Sequence, residues 1–262
     1  SMVVPVLAFF LVFCYVPMVG LVIAFKDYVM TDGIFGSAWV GWDNFRRLFS
    51  SEDFPRAIRN TLTISILRLG VGFFAPVILA LLLNELRLAA YKRSIQTLTY
   101  LPHFFSWVIL GGIFLMIFGG QGPVNAGVKL LGAKPVTFLT DDAWFITILI
   151  TTGIWQGAGW GAIIYLAALS GISPSLYEAA TIDGAGRLAQ FRDVTLPQLK
   201  DVLIVIVLLR TIWDFKEFDL IYLLTGGGPV ISTQTLPLMV YKEAFSLNQM
   251  GAASAVAVLM MQ

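Results

Sequence analysis

The sequence has few of the residues that build redox centres, metal clusters or nucleic-acid surfaces. It contains one cysteine, Cys14, and one histidine, His103, among 262 residues. A lone cysteine allows no internal disulfide and no metal cluster, which argues against redox chemistry. Charged residues make up only 13% of the chain, with 17 Lys and Arg against 16 Asp and Glu. Without a basic excess to neutralise phosphates, we expect no nucleic-acid partner.

Apolar residues are what the chain has in abundance. They form 58% of it, with twenty Phe and seven Trp, against roughly 45–50% in soluble domains. This composition excludes a soluble globular enzyme and a disordered chain. A helix crosses a bilayer with about 20 apolar residues. The pattern predicts an all-α, multi-pass transmembrane bundle, with six spans at residues 3–25, 61–83, 95–118, 144–169, 202–224 and from 251 onwards.

The predicted bundle forms one transmembrane domain over residues 1–262. Its sixth span is cut short at Gln262, and the first residue is Ser1, so we expect further residues at both ends of the natural chain. Lys and Arg are distributed almost evenly between the two sides of the predicted spans. The positive-inside rule therefore does not settle the orientation.

One connection, residues 170–200, is long and polar. In it Ser173 can cap a helix that has Pro174 in its first position and Gly184 at its end. The small side chains of Ala179 and Ala180 would leave a flat surface that another body could approach. An ordinary interfacial connector explains the same composition equally well.

Two stretches resemble a known family. The first resembles the EAA motif in the permease subunits of binding-protein-dependent ABC importers, in the form of the carbohydrate-uptake, maltose-permease-like family. Its matching residues are Glu178-Ala179-Ala180, Asp183-Gly184-Ala185, Phe191 and Leu196-Pro197. The second resembles the loop before the last span of those permeases, and its residues are Leu224-Thr225-Gly226-Gly227-Gly228-Pro229, Thr235-Leu236, Tyr241 and Ala244-Phe245. The surroundings of His103 resemble the branch that imports oligosaccharides and polysaccharide fragments, including alginate importers.

The resemblance implies a type I ABC importer permease fold in the cytoplasmic membrane of a bacterium or archaeon, with the amino terminus inside. It implies that residues 170–200 form a cytoplasmic loop that docks on an ATPase. The residues that would couple the two are Glu178, Ala179, Ala180, Asp183 and Gly184. The implied partners are two ATP-binding subunits, a second homologous permease subunit, an extracytoplasmic solute-binding protein, a carbohydrate substrate and membrane lipid.

The chain itself has no phosphate-binding loop, because a Walker A motif needs a Gly-Lys dipeptide and none is present. We therefore expect no catalytic residue, metal or cofactor in this chain, and ATP and Mg²⁺ on partner subunits. A transporter driven by an ion gradient is the alternative, since Asp214, Glu217 and Asp219 lie in the fifth predicted span. An intramembrane hydrolase is disfavoured, because no Gly-x-Ser-x-Gly elbow accompanies the single histidine.

The candidate substrate-pathway residues combine aromatic rings with polar groups at membrane depth, where polar groups are costly. They are Trp155, Gln156 and Trp160 in the fourth predicted span and Arg210, Trp213 and Asp219 in the fifth. Sugar rings stack on aromatic faces and hydrogen-bond to planar polar groups. The glycines around Trp155 can equally serve close helix packing, and Arg210 can pair with Asp214 at i,i+4 spacing.

Charge in the cavity would distinguish two kinds of sugar. If several of Arg68, His103, Arg210 and Lys216 face the cavity, an acidic sugar gains charge-assisted hydrogen bonds. If Arg210 and Lys216 instead pair with Asp214 and Glu217, a neutral oligosaccharide fits better. The sequence leaves both open.

Overall fold

The computed structural model describes residues 3–227 and 233–261. The α-helices in chain order are α1 (Val3–Phe10), α2 (Gly33–Gly36), α3 (Asp43–Ser50), α4 (Asp53–Gly72), α5 (Phe74–Glu85), α6 (Ala89–Tyr100), α7 (Trp107–Phe118), α8 (Pro123–Leu130), α9 (Asp142–Ser170), α10 (Pro174–Ile182), α11 (Arg187–Gln190), α12 (Leu196–Phe215), α13 (Asp219–Thr225), α14 (Leu236–Tyr241) and α15 (Met250–Leu259). Helical turns of other pitch occupy Leu11–Tyr15, Val16–Phe25, Leu101–Phe104, Phe191–Thr195 and Lys242–Ser246. Within the described ranges the strands are β1 (Lys26–Asp27) and β2 (Ala38–Trp39), which pair antiparallel. The all-α prediction is confirmed.

Three helical stretches are long and apolar enough to cross a membrane. They are Val3–Phe25, Asp53–Glu85 and Trp107–Leu130. A fourth candidate is the pair Asp142–Ser170 and Pro174–Ile182, which is bent by 67°. The first predicted span has the observed bounds, and the second lies inside a longer helix pair.

Two other stretches predicted as single spans are each divided between two helices. The span at 95–118 is broken between α6 and α7, where Pro102 lies in a short turn. Proline lacks the N–H that a continuous helix needs, and Ser106 starts the next helix by accepting a hydrogen bond from the Ile109 N–H at 3.4 Å. The span at 202–224 is broken between α12 and α13. The described part of the sixth is α15, of ten residues.

The chain divides into two compact units, Ser1–Thr61 with Val230–Gln262, and Leu62–Pro229. The core of the first unit consists of Ala24, Phe45, Leu48, Phe54, Ala57, Met239, Ala255 and Val256. Beside this core the buried Asn44 amide donates to the carbonyls of Ala24 and Lys26, each at 2.9 Å. These bonds satisfy carbonyls at the end of the first long helical stretch, where intrahelical partners run out.

The second unit is organised around the long helix α9, along which α5 packs. The buried residues between them and α12 are Ala80, Ala162, Tyr165, Leu169, Ile172 and Leu199. Gly159 meets the backbone of Thr99 so closely that a Cβ atom would overlap it. Close packing through a small residue therefore explains this glycine, as small residues do in membrane helix pairs.

Candidate functional site: the exposed helix after α9 and the broken helix pair

The predicted helix in the polar connection is present as α10, Pro174–Ile182, and its end forms as expected. Gly184 has φ +78°, and its N–H donates to the Thr181 carbonyl at 3.0 Å while the Ala185 N–H donates to Ala180 at 2.9 Å. These two bonds define a Schellman motif, which favours glycine at this position. The predicted Ser173 cap is wrong in detail, because its hydroxyl lies 2.7 Å from that of Ser175 and caps no backbone N–H.

No residue of α10 is buried, so the helix presents most of its surface outward. Glu178, Ala179 and Asp183 are exposed, and Ala180 is half-buried. Ile182 is 86% exposed, which leaves an apolar side chain beside the charged ones. The residues that the resemblance singles out thus form an accessible surface on one short helix.

A few polar contacts hold α10 from its inner side. The Tyr177 hydroxyl lies 3.0 Å from the Thr195 hydroxyl, and the Gln190 amide donates to the Thr181 hydroxyl at 2.9 Å. Arg187 reaches the end of α5, where it pairs with Glu85 at 3.0 Å. Behind these contacts lies a cavity of about 330 Å³. The connection therefore borders a cavity, while its residues Ile172 and Tyr177 pack at the core between α5 and α9.

The next turn carries its own ion pair. The Arg192 guanidinium donates to both carboxylate oxygens of Asp193, at 2.7 and 2.8 Å. This hydrogen bonding lowers the pKa of Asp193 and raises that of Arg192. Both side chains are exposed, so the pair has little effect on stability. The chain continues from this turn directly into α12, so that Leu196-Pro197 lies within a helical stretch and does not end one.

The candidate aromatic residues of α9 do not form one surface. Trp155 and Trp160 are five residues apart, which separates them by about 140° around a helix. Trp155 meets Phe114 edge-on, with ring centroids 6.0 Å apart. Trp160 stacks on His103 with centroids 4.6 Å apart and planes 5° apart. Gln156, four residues before Trp160, is half-buried on the latter's side of the helix.

The charged candidate Arg210 lies in a buried ion network. Arg68 of α4 approaches Asp214 at 3.2 Å and also pairs with Glu217. Arg210 lies 3.8 Å from Asp214 and donates to the Gly72 carbonyl at 3.4 Å. Sequence reasoning foresaw the pairing of Arg210 with Asp214 but missed Arg68 as the principal partner of both carboxylates. An arginine within an apolar run was the available signal, because it requires an anion nearby.

The remaining candidates on this helix pair, Trp213 and Asp219, are both exposed. Trp213 is 65% exposed in the last turn of α12, and Asp219 begins α13. Across residues 3–227 and 233–261, no three His, Cys, Asp or Glu side chains are grouped to hold a metal ion. Gly228 and Pro229, in the second motif of the resemblance, lie outside the described residues.

Fold and site together define an integral membrane protein with an accessible helix on the polar connection between α9 and α12. The family model of the binding-protein-dependent transport system inner membrane component matches residues 72–261. The chain therefore belongs to this family, and it is a permease component of such a transport system.

Similar proteins agree with this placement. The polygalacturonan/rhamnogalacturonan transport system permease protein YteP of Bacillus subtilis (strain 168) is 42% identical over 98% of this chain and 81% of its own length. A chain in the crystal structure of a bacterial ABC transporter that imports the acidic polysaccharide alginate is 36% identical, with a TM-score of 0.90 over 98% of this chain and 87% of that one. A chain in the crystal structure of a bacterial alginate ABC transporter in complex with an alginate pentasaccharide-bound periplasmic protein is 37% identical. Its TM-score is 0.89 over 98% of this chain and 86% of that one. The fold is that of an ABC importer permease, as expected.

Proposed function

We propose that this chain is one of two homologous permease subunits in an ATP-driven importer that carries an oligosaccharide across the cytoplasmic membrane of a bacterium or archaeon. Two separate ATPase subunits hold ATP and Mg²⁺, and an extracytoplasmic binding protein delivers the sugar. Residues 1–262 form the transmembrane permease domain, with the amino terminus inside. Residues 170–200 are its cytoplasmic coupling loop.

The observation that carries this proposal is the exposed helix α10. It has no buried residue, it follows α9 after a sharp bend, and it ends at a glycine in the left-handed region. A helix presented in this way offers Glu178, Ala179, Ala180 and Asp183 to another protein. We propose that an ATPase subunit binds this surface, so that its closure moves α10 together with α9.

A carbohydrate substrate is supported by the names of the relatives and by the chemistry of the described side chains. YteP is named for polygalacturonan and rhamnogalacturonan, and the structural neighbour is an alginate importer. Trp160 and Trp213 are partly exposed aromatic residues within apolar helices, and sugars stack on such rings. Gln156 adds a planar hydrogen-bonding group. We place Trp155 outside this set, because it lies on another side of α9.

The test is uptake by the complete transporter in proteoliposomes. The chain, its partner permease, both ATPases and the binding protein are reconstituted with ATP inside, and labelled oligogalacturonate and malto-oligosaccharide are supplied outside. We expect uptake of at least one sugar that needs internal ATP and survives collapse of proton and sodium gradients. Uptake that persists without ATP but stops with a gradient would establish the gradient-driven alternative.

A further inference from the structure

The break between α12 and α13 falls within the fifth span that the sequence predicts, residues 202–224. The last charged residues before the apolar part of α12 are Lys200 and Asp201. Lys216 follows Val202 by fourteen residues, which is about 21 Å along a helix. A hydrocarbon core is about 30 Å thick, so a helix that enters the core at Val202 brings Lys216 inside it.

Four charged groups near this break balance one another. Arg68 binds Asp214, in the last turn of α12, and Glu217, within the break. Arg210 accompanies Asp214. Two cations and two anions give the network no net charge. All four side chains are at least 79% buried, since their exposed fractions are 13%, 5%, 11% and 21%.

This network fixes the backbone on both sides of the break. Besides the ion pairs, the Ser65 hydroxyl donates to the Asp214 carbonyl at 3.0 Å. That carbonyl lies in the last turn of α12, where intrahelical partners run out. On the other side, α13 packs on α7 with Leu223 against Gly111. The break is therefore a fixed feature of this unit.

Lys216 stands apart from this network. It is exposed, and no residue in the described part of the chain forms an ion pair with it. The neighbouring acid Asp219 is also exposed and does not pair with it. Trp213, in the last turn of α12, is 65% exposed, and Lys216 directly follows that turn as its C-cap residue. An unpaired ammonium at membrane depth is costly unless an anion accompanies it.

We propose that Lys216 binds a carboxylate of an acidic oligosaccharide in transit while the sugar ring stacks on Trp213. This pair makes the transporter select a uronate oligomer over its neutral counterpart. The proposal rests on the function proposed above and names the substrate class of the same pathway. It assigns to Lys216 the role that Arg68 and Arg210 cannot take, because their charges are neutralised by Asp214 and Glu217.

The experiment compares two substrates of equal length, trigalacturonate and its fully methyl-esterified form. Uptake is measured in the reconstituted transporter with wild type, Lys216→Gln, Lys216→Arg and Lys134→Gln. Lys134 is an exposed lysine in the connection before α9, so its variant removes the same charge elsewhere in the unit. Each variant is normalised to wild type with the same binding protein, which removes the preference of that protein from the ratio.

We expect Lys216→Gln to lower the uptake ratio of acid to ester about tenfold, since a charge-assisted hydrogen bond is replaced by a neutral one. Lys216→Arg retains most of the ratio, and Lys134→Gln leaves it unchanged. An unchanged ratio in Lys216→Gln, whether both rates fall together or neither falls, overturns the proposal.

Other anions would give different results. If a carboxylate of the partner permease binds Lys216, the Lys216→Gln transporter fails to copurify as a complex. If lipid phosphate binds it, the effect of the substitution follows the anionic lipid content of the vesicles and is the same for both sugars. Either result overturns the proposal. If the wild-type transporter imports only the methyl ester, the proposal for Lys216 is overturned and the proposed transport function stands. If the wild-type transporter imports no sugar, the proposed function itself is refuted.

Discussion

The turn into α10 and the break between α12 and α13 both interrupt long helices of one unit, yet different contacts hold them. Around α10 the polar contacts are a hydrogen bond between Tyr177 and the buried Thr195, a hydrogen bond from Gln190 to Thr181, and the pair of Glu85 with Arg187 of α11. The side chains of Glu85 and Arg187 are 64% and 82% exposed. At the break the contacts are ion pairs of Arg68 with Asp214 and Glu217, which are at most 13% exposed.

The difference in burial decides how much each set of contacts restricts motion. Solvent and salt screen an exposed ion pair, so that it contributes little. A buried network cannot exchange its partners for water, so that breaking one contact leaves a charge stranded. The ion pair beside the helix proposed to bind the ATPase is thus screened by solvent, whereas the ion pairs at the break proposed to meet substrate are not.

The largest expected effect comes from removing the central cation of the break. Arg68→Met leaves Asp214 and Glu217 without their principal partner, and we expect a loss of about 3–5 kcal/mol in the free energy of unfolding. Arg68→Lys should be intermediate, because one ammonium cannot match the fork of a guanidinium. Thermal unfolding of the purified transporter measures this.

The control for this substitution is Arg87→Met. Arg87 is exposed in the same unit, and no residue in the described part of the chain forms an ion pair with it. Its loss should change stability by less than about 0.5 kcal/mol. If Arg68→Met unfolds at the temperature of Arg87→Met, the buried network does not hold the break and the contrast with α10 disappears.

A smaller effect on stability, with a larger effect on transport, is expected at the end of α10. Gly184→Val forces a β-branched residue to φ +78°, which costs of the order of 1–3 kcal/mol locally. The loop would re-form in another path, so we expect sugar-stimulated ATP hydrolysis to fall severalfold while the subunits still copurify.

Gly186→Val is the matched control for that experiment. Gly186 lies two residues further on, has φ −71° and has open space around its α-carbon. Valine there should be tolerated. Equal ATP hydrolysis and uptake in the two variants would contradict a coupling role for the geometry at Gly184.

Local patterns in the sequence predicted α10 well. Pro174 at its start and Gly184 after its end act through the backbone of their own turn, so the predicted helix over residues 174–183 differs from the observed Pro174–Ile182 by one residue. The predicted Ser173 cap is absent, because the Ser173 hydroxyl forms a hydrogen bond with the Ser175 hydroxyl. The capping pattern in the sequence takes no account of this competing partner.

The broken helix pair and its ion network could not be read from local patterns. The i,i+4 spacing predicted Arg210 as a partner of Asp214, and only the packing of α4 against the end of α12 brings Arg68 to the same carboxylate. The separation of Trp155 from Trp160, by contrast, follows from their spacing of five residues, and sequence reasoning could have found it. Hydropathy predicted an apolar span over residues 202–224 but did not indicate that α12 ends at Phe215 and α13 begins at Asp219.

The smallest effect is expected for the exposed ion pair between Glu85 and Arg187. Glu85→Gln removes the pair with Arg187, and because both side chains are mostly exposed, we expect a stability change of at most about 0.5 kcal/mol and uptake within twofold of wild type. A double-mutant cycle with Arg187→Gln, followed by thermal unfolding and by uptake at low and high salt, measures the coupling between the two side chains. A coupling above about 1 kcal/mol that survives high salt would mean that this exposed pair behaves like the buried pairs at the break, and the contrast between the two regions would then be wrong.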